Sequence, residues 1–584
     1  MPTKFKEVNY SLSHLISEID LGSIGLPEIQ RPFIWKDTKV RDLFDSMYRG
    51  YPVGYFLFWA NQNIQSSREI GTQGKQKAPD LLIVDGQQRL TSLYAVMKGH
   101  PIVRSDYQQA YIKVAFNPLE EKFAIPDASI RRNARYIQDI SQIWHPDTDP
   151  YEFMDDFISR LREVEDIDRE RLKKVRSAIA ALQDLSHYPF SALELAADID
   201  EEQVAEIFVR INAQGKKLNQ ADFILTLMSV FWDQGRFELE DFCRSAKQPN
   251  KEEASAFNYL MEPRPDQMLR VAVGLAFKRA RLQFVYSILR GKDLETGKVS
   301  AERRDAQFAK LKVAQAQTLD IQTWHEFLKA IRQAGFLRAD LISSDNTILY
   351  SYVLFLLGRH EYQMDWYELR RAIASWFFFA ALTGRYTGSP ESRMEQDLAE
   401  LRPLQGQSQF VGKLNDIIAN ALPNDYWSTI LPSELATSSN QSPSQFAFYA
   451  ALTVLEARGL YSQLPVSDLL QQGLRSKKSP LERHHLFPKA YLERQGVSEQ
   501  RMRNQIANYA LVEWSDNIRI ADAPPQEYVG QYENRFSREE IQRMYHWHGL
   551  PENWTTLDYP TFLEERRRRI AQVIRAAFEK LQGW

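Results

Sequence analysis

The sequence predicts an α+β protein that is mostly α-helical and contains more than one domain. Its 584 residues exceed the roughly 100–200 residues of a typical domain, so about two to four domains are expected. Apolar residues recur at helical spacing over most of residues 150–430 and again in 563–581. Strand-like apolar runs are short and lie mainly before residue 120.

The first elements are predicted to be strands and helices in alternation. Residues 81–84 form an apolar run that ends at Asp85 and Gly86, a pattern typical of a strand followed by a turn. Residues 91–98 have a helical pattern. The run 111–116 (YIKVAF) predicts a further strand.

The rest of the first domain and the region after it are predicted to be helical. Helical patterns occur at 202–211 and 220–232. Residues 236–430 follow with amphipathic periodicity, which is clearest at 348–357 and 367–382.

A change of composition predicts a boundary before the last domain. Residues 431–445 (LPSELATSSNQSPSQ) are rich in Ser, Pro and Asn, as linkers are. The predicted parts are therefore a first domain at 1–235, a helical middle region at 236–430, this linker, and a C-terminal domain at 446–584. The last domain should end in a helix whose buried face contains Ile570, Val573, Ile574, Ala577, Phe578 and Leu581.

Composition excludes several classes of protein. The single cysteine, Cys243, excludes an internal disulfide framework and a zinc site with several cysteines. The most apolar run, residues 376–382 (WFFFAAL), is far shorter than the roughly 20 residues that a membrane span needs, so it predicts a buried helix. We therefore expect a cytoplasmic protein with no membrane partner. The net charge of −3 neither supports nor excludes nucleic-acid binding, because phosphate contacts depend on local charge.

A group of histidines and asparagines in the C-terminal domain predicts a phosphodiester-cleaving site. It comprises residues 483–489 (RHHLFPK), 505–511 (QIANYAL) and 515–519 (SDNIR). Hydrolysis of a phosphodiester needs an activated water, a cation on the phosphate and help for the departing oxyanion. A neutral histidine can take the proton from water, while a second imidazole and an amide oxygen can hold a divalent ion. A further amide can orient the base.

This group resembles the HNH, or ββα-metal, nuclease motif. The resemblance implies that His484 is a metal ligand and His485 the general base, as in the His-His pair of colicin-type nucleases. It implies that Asn508 braces the motif and orients the base, and that Asn517, on the following helix, is the last metal ligand. The implied cofactor is Mg²⁺ or Mn²⁺. A His-His pair alone is usually incidental, and it is Pro488 and the two asparagines in register that favour the nuclease interpretation.

The same residues resemble the C-terminal nuclease module of the GmrSD family of modification-dependent, or type IV, restriction enzymes. An Asp-His or Glu-His pair is usual in that family, so His484 departs from its pattern and leaves the preferred metal open.

Two other groups of residues in the C-terminal domain can each be interpreted in two ways, as functional or as structural. His546 and His548 have the spacing of metal ligands, although their aromatic neighbours favour packing. The arginines at 566–569 either contact phosphate or form a solvated helix face paired with acidic residues.

A second candidate site lies in the first domain, between the strand at 81–84 and the helix after it. Gly86 allows a ligand to approach the backbone closely, and the start of a helix offers free N–H groups to an anion. Arg89 can pair with phosphate oxygens, and Asp85 can bind a cation or position a water. Turns of this kind are common, so the pattern alone indicates a phosphate site only weakly.

Neighbouring motifs strengthen that interpretation. The segments 27–35 (PEIQRPFIW), 50–54 (GYPVG), 85–89 (DGQQR) and 208–218 (FVRINAQGKKL) resemble, in this order, the GmrS-type module, which is related to the ParB and sulfiredoxin nucleotide-binding fold. The resemblance implies binding of a nucleoside triphosphate and its hydrolysis. The implied nucleotide-site residues are Asp85, Gly86, Gln87, Gln88, Arg89, Gln30 and Arg31, with Asn212 and Gly215 as further candidates.

Structural roles remain open for two of these pairs. Gln30 and Arg31 could instead form a buried pair that braces their loop, and Asn212 and Gly215 could terminate a helix. The sequence contains no GxxxxGK[S/T] motif, so a P-loop enzyme is not supported.

These observations predict a nucleotide- and metal-dependent DNA endonuclease of phage defence that cleaves modified or foreign DNA. Two alternatives remain, namely a ParB-like DNA-binding regulator without catalysis and an HNH nuclease directed at RNA. The expected partners are DNA, in particular modified phage DNA, and a nucleotide. A homo-oligomer is compatible with the sequence.

Overall fold

The computed structural model describes residues 3–27, 33, 35–60, 67–68, 79–104, 109–199, 203–204, 207, 224, 228, 232–249, 254–289, 291–292, 300–439, 441–472, 481–513, 520 and 522–583. The chain forms two compact units, residues 1–234 and 235–584, and each is described by itself below. The boundary between them lies one residue from the domain end that the sequence predicted at 235. As predicted, the described structure is α+β and mostly helical.

The first unit is built around a mixed six-stranded sheet in the order β1-β10-β3-β5-β2-β4. Strand β3 is buried on both faces at Phe56, Leu57 and Phe58. Strand β5 pairs with β3 on one side and with β2 on the other, so it is an interior strand of the sheet. Two further short pairs, β6 with β7 and β8 with β9, complete the strands that are described in this unit. The strands are β1 Phe5–Ser11, β2 Ile24–Pro27, β3 Phe56–Ala60, β4 Ser67–Arg68, β5 Leu81–Asp85, β6 Ile102–Val103, β7 Gln109–Ala110, β8 Ala115–Asn117, β9 Lys122–Ala124 and β10 Pro189–Leu195.

Five α-helices are described in the first unit, and their buried residues share one hydrophobic core with the strands. They are α1 Leu12–Asp20, α2 Asp37–Tyr48, α3 Gln87–Lys98, α4 Pro150–Val164 and α5 Arg169–Gln183.

Most of the predicted elements of this unit are observed, with one difference. The strand predicted at 81–84 is β5, and the helix predicted at 91–98 is α3, which begins at Gln87, directly after the turn. The strand predicted at 111–116 is regular only from Ala115, although Ile112 and Val114 are buried. Residues 111–114 thus bury alternate side chains as a strand does, but their backbone is not hydrogen-bonded to a neighbouring strand among the residues described. The helices predicted at 202–211 and 220–232 fall mostly outside the described residues.

The second unit is helical in most of its described residues. Its helices are α6 Asp233–Ser245, α7 Pro265–Phe277, α8 Leu282–Leu289, α9 Ala301–Thr318, α10 Ile321–Gln333, α11 Asp345–Leu356, α12 Trp366–Leu382, α13 Pro390–Leu401, α14 Gly406–Ala421, α15 Leu431–Glu434, α16 Pro443–Val454, α17 Val466–Gln472, α18 Lys489–Arg494, α19 Gln500–Arg503, α20 Pro525–Glu533, α21 Arg538–Trp547 and α22 Tyr559–Gly583. Two strands, β11 Leu481–His485 and β12 Tyr509–Glu513, form its small sheet.

The apolar helices of this unit behave as the sequence predicted. The run 376–382 lies in α12 and is buried throughout. In α22 all six residues of the predicted apolar face are buried. Within the described part of the chain, no helix combines the length and the apolar character that a membrane crossing requires.

The segment 431–445 differs from the linker that its composition predicted. It begins with helix α15 and ends in the first turn of α16, and both belong to the compact unit that spans 235–584. Leu431 and Leu435 are fully buried, and Gln445 is buried with its amide donating to the hydroxyl of Tyr449 at 2.7 Å. Ser and Pro are common at helix starts as well as in linkers, so composition could not separate the two.

Candidate active site

The small sheet of the second unit carries both histidines of the predicted nuclease site. Strands β11 and β12 are antiparallel, with His484 opposite Ala510 and His485 opposite Tyr509. Successive side chains of a strand point to opposite faces. Accordingly, His484 is buried with 2% of its surface exposed, whereas His485 is only partly buried. The two imidazoles are thus presented to different surroundings.

Asn508 holds the chain that follows the first strand. Its Oδ1 accepts a hydrogen bond from the Phe487 N–H at 2.9 Å, and its Nδ2 donates to the carbonyls of Phe487 and Arg503, both at 3.0 Å. The side chain is fully buried, so these bonds satisfy an amide that water cannot reach. This geometry fits the bracing role that the resemblance implied for Asn508. The hydrogen bonds found for its side chain go to main-chain atoms, and none goes to an imidazole.

The imidazole of His485 is oriented by a residue that the sequence reasoning missed. Its Nε2 lies 3.1 Å from Oδ1 of Asn504, and its ring packs against that of Tyr509 with the centroids 4.3 Å apart. The Tyr509 hydroxyl donates to the same Asn504 oxygen at 3.3 Å. Asn504 lies four residues before Asn508, directly before the motif segment 505–511. In the sequence, its amide side chain was the only indication of a role in the site.

Burial sets the ionisation of His485. Loss of hydration lowers the pKa of His485 to about 4, and the positive charges of Lys489 and Arg483 act in the same direction, against the opposing hydrogen bond to Asn504. An imidazole with this pKa is neutral at neutral pH and keeps a lone pair for a proton. This is the state that a general base requires.

His484 packs edge-on against an aromatic ring in the interior. Its ring centroid lies 5.6 Å from that of Tyr528 at an interplanar angle of 87°, and the Tyr528 hydroxyl donates to the Leu486 carbonyl at 2.8 Å. Imidazole is a common ligand of divalent metal ions, so the side chain fits the ligand role by its chemistry. The second expected ligand, Asn517, lies outside the described residues. Among the described residues, no three His, Cys, Asp or Glu side chains cluster as a metal site.

Arg566 is a buried structural residue next to this site. The sequence left two roles open for the arginines at 566–569, phosphate contact or a solvated helix face, and neither applies to Arg566. It is fully buried in α22, and its Nη1 donates to the Ala507 carbonyl at 2.6 Å. Its Nε and Nη2 donate to the His548 carbonyl at 3.1 and 3.0 Å. A guanidinium enclosed in this way is neither on a solvated face nor exposed to phosphate. Arg568, which pairs with Glu564 at 2.5 Å, does match the solvated-face interpretation.

The second histidine pair matches the packing interpretation. His548 is fully buried, and its Nε2 lies 2.9 Å from the Arg458 carbonyl, whereas His546, in the last turn of α21, is exposed. Burial lowers the pKa of His548 to about 4. Its imidazole thus joins two segments of the fold.

Two exposed cations lie near His485 and were also missed by the sequence reasoning. Arg483 precedes His485 by two residues on β11 and therefore shares its face of the strand. Its guanidinium carbon lies 5.6 Å from the centroid of the Tyr509 ring. Lys489 is exposed at the first position of α18. The basic character of the segment was visible in the sequence, but only the strand register places Arg483 beside the imidazole.

The candidate nucleotide turn in the first unit is held by Arg89. Its Nη2 donates to the Tyr55 carbonyl at 2.7 Å, and its Nη1 donates to the Val53 carbonyl. Gly86 has a φ of 95° and Gly54 a φ of 88°, values that favour glycine. A Cβ at Gly86 would collide with the ring of Phe56, and one at Gly54 with the Arg89 guanidinium. Gly54 thus makes room for the Arg89 guanidinium, and Gly86 makes room for the Phe56 ring beside it.

The start of α3 provides the remaining features of that turn. Gly86 caps the helix without a side-chain hydrogen bond, and Gln87, Gln88 and Arg89 form the first helical turn with no acidic residue among them. Asp85 ends β5 and attracts Arg89 electrostatically, although burial lowers the pKa of Arg89 overall. The expected neighbours of this turn, Gln30, Arg31, Asn212 and Gly215, lie outside the described residues.

Comparison with known proteins supports the family resemblance of the first unit. Residues 12–229 match the family model described as the GmrSD restriction endonuclease N-terminal domain. The match supports an N-terminal module of this type and suggests an endonuclease of phage defence whose substrate class is DNA. An uncharacterized protein of Methanocaldococcus jannaschii is 21% identical over 549 residues, which cover 89% of this chain and 86% of that protein. The sheet of β11 and β12 lies outside the residues that the family model matches.

Proposed function

We propose, on the premise of this N-terminal match, that the chain is a nucleotide- and metal-dependent endonuclease that cleaves modified or foreign DNA in phage defence. The observation that carries the proposal is the geometry at His485, whose Nε2 lies 3.1 Å from Oδ1 of Asn504 and whose strand runs into a segment held by Asn508; the low pKa of the imidazole agrees with it. A structural histidine does not need this combination of a lone pair, an orienting amide and adjacent exposed cations. The C-terminal part of the second unit is accordingly proposed to be an HNH module.

In the proposed reaction, His485 takes a proton from a water molecule, and the resulting hydroxide attacks the phosphorus of the scissile phosphodiester. The P–O bond to the departing sugar oxygen breaks, and that oxygen takes up a proton. A divalent ion, Mg²⁺ or Mn²⁺, held by His484 and Asn517 would supply positive charge for the scissile phosphate and the leaving oxygen. Asn508 keeps the Phe487 segment in place, so the spacing between the two histidines and the following loop is fixed.

The cations beside His485 give the proposed DNA-binding surface its charge. With a His485→Ala background to prevent cleavage, Arg483→Gln and Lys489→Gln should each lower the dependence of DNA affinity on salt. The slope of log affinity against log salt should fall by about 0.9 for each phosphate that the variant no longer neutralises. Fluorescence anisotropy over a salt series measures this slope. Arg568→Gln is the matched control, because Arg568 is an exposed arginine of the same unit that lies on α22, where it pairs with Glu564. If the slope is the same in the His485→Ala background and in the three variants made from it, DNA does not bind at Arg483 and Lys489.

The first unit is proposed to bind a nucleoside triphosphate at the start of α3, in a fold of the ParB and sulfiredoxin type. Asp85→Asn should weaken triphosphate binding by about 1.5–3 kcal/mol, because the substitution removes a charge-assisted interaction with a cation or a water. Arg89→Ala should do the same, but it also removes the bonds to the carbonyls of Val53 and Tyr55, so Asp85→Asn is the cleaner variant.

Calorimetry with the four common ribonucleoside triphosphates measures this effect. Lys98→Ala, at the opposite end of α3, is the matched control and should bind as the wild type does. If the wild-type protein binds none of the four nucleotides, the nucleotide proposal fails and the DNA-binding regulator gains support.

Two alternatives remain testable with the same protein. A ParB-like regulator would have no use for a neutral imidazole oriented by an amide, so the geometry at His485 disfavours it. An RNA-directed nuclease would use the same chemistry, and only the substrate distinguishes it. The decisive experiment incubates the purified full-length chain with Mg²⁺ or Mn²⁺, each nucleotide, and plain DNA, modified phage DNA or RNA. Absence of cleavage under all of these conditions would contradict the proposal.

A further inference from the structure

We infer that Asn504 is a positioning residue that fixes the tautomer of His485, so that Nδ1 is the nitrogen that receives the proton from water. This inference rests on the proposed nuclease function and deepens it, because it assigns a role to a residue outside the motif. An imidazole has two ring nitrogens, of which only one is protonated in the neutral form. A base whose two tautomers interconvert spends part of its time with the wrong nitrogen facing the substrate.

The hydrogen-bond arrangement selects one tautomer. Oδ1 of Asn504 is an acceptor only, so its contact with Nε2 of His485 at 3.1 Å requires Nε2 to carry the proton. The Tyr509 hydroxyl donates to the same oxygen at 3.3 Å, which fills its second lone pair. The lone pair of the imidazole is then on Nδ1. Packing of the Tyr509 ring against the imidazole restricts rotation of the ring as well.

The backbone fixes Asn504 itself. It follows the last residue of α19, and its N–H donates to the Gln500 carbonyl at 3.1 Å. The carbonyl of the preceding residue, Arg503, accepts the hydrogen bond from Nδ2 of Asn508. Asn508 therefore acts on the base through the main chain next to Asn504. The orienting role that the family resemblance implied for Asn508 is divided between two asparagines here.

Loss of a residue of this kind affects catalysis rather than DNA binding. Partners that orient a metal-bound imidazole typically contribute about 10–100-fold in activity, and we expect an effect of about that size for a partner that orients the base. Asn504→Ala should therefore lower kcat by about 10–100-fold and leave KM for DNA close to the wild-type value. Asn504→Asp keeps an acceptor oxygen and should restore most of the wild-type kcat at mildly alkaline pH. Gln505→Ala is the matched control, since Gln505 contacts Arg567 and Met502 but not His485.

The tautomer itself provides a readout that is independent of activity. Imidazole ¹⁵N chemical shifts of the full-length protein, labelled at histidine and assigned with His485→Gln, should show a protonated Nε2 and an unprotonated Nδ1 for His485. In Asn504→Ala the two shifts should move toward the average of the tautomers, while Gln505→Ala keeps the wild-type values.

The outcomes separate this inference from the proposed function. A protonated Nδ1 in the wild type, or wild-type kcat in Asn504→Ala, overturns the role of Asn504 even if the chain cleaves DNA. If the chain cleaves neither DNA nor RNA but the shifts change as expected, the orienting role stands and the proposed nuclease function fails.

Discussion

Replacing His485 with alanine should remove nearly all DNA cleavage by the full-length protein. A positioned general base contributes about 10²–10⁴-fold to such reactions, and the substitution removes the imidazole that is held for this purpose by Asn504. Burial keeps the pKa of His485 at about 4, so the group is already in its proton-accepting form at neutral pH. The difference between the wild type and the variant should therefore persist from about pH 6 to pH 8. Initial rates on a supercoiled substrate measure it.

A matched histidine variant separates this effect from a general loss of structure. His546 lies in the same unit, is exposed and has no role in the proposed reaction, so His546→Ala should cut at the wild-type rate. Thermal unfolding of His485→Ala should resemble that of the wild type, because the half-buried ring contributes little to the core. Cleavage by His485→Ala at the rate of His546→Ala would exclude His485 as the base.

Removing the Arg566 side chain should destabilise the second unit by about 2–6 kcal/mol. Alanine at this position leaves two buried carbonyls, those of Ala507 and His548, without their donor, and each such group costs about 1–3 kcal/mol. The cavity left by the guanidinium adds to this cost. Urea denaturation followed by far-ultraviolet circular dichroism measures the change in the free energy of unfolding.

The neighbouring arginine supplies the control for that experiment. Arg569 is exposed on the same helix, and Arg569→Ala should change the unfolding free energy by less than about 0.5 kcal/mol. If Arg566→Ala unfolds at the same urea concentration as Arg569→Ala, the bonds to the two carbonyls do not stabilise the fold. Since Ala507 precedes Asn508, a destabilised Arg566→Ala protein should also cut more slowly than its folded fraction alone would account for.

Nucleotide binding in the first unit is expected to change the rate of DNA cleavage. A linker at 431–445 would have allowed the two activities to be tested in separate fragments, but the structure has no linker there. Separating the chain near Ser438 to Ser444 would cut through the compact unit 235–584 and expose residues such as Leu435 that are now buried. Coupling is therefore better tested in the intact chain, as the cleavage rate with and without triphosphate. Coupling free energies between sites are commonly about 1–3 kcal/mol, which corresponds to rate or affinity changes of about 5–150-fold.

The sequence alone determined features that depend on short stretches of chain. The strand β5, the turn at Gly86 and the buried apolar helix α12 follow from local patterning, and so does helix α3, although it starts at Gln87 rather than at the predicted residue 91. The candidate residues His484, His485 and Asn508 were also selected from the sequence, and their catalytic and metal-binding roles stay predictions. They could be recognised because the chemistry of the motif needs fixed residue types at short spacing.

The tertiary structure decided which side chains meet across longer distances. Whether Asn504 or Asn508 touches the imidazole depends on how the chain between β11 and β12 folds back, and residue types alone do not specify that path. Arg566 looked like a surface cation in its run of four arginines, and only the packing of α22 behind the site buries it among carbonyls. The segment 431–445 likewise had the composition of a linker, and its burial depends on partners that are distant in sequence. In each case, local composition reports what a residue can do, whereas burial and long-range hydrogen bonding determine what it does.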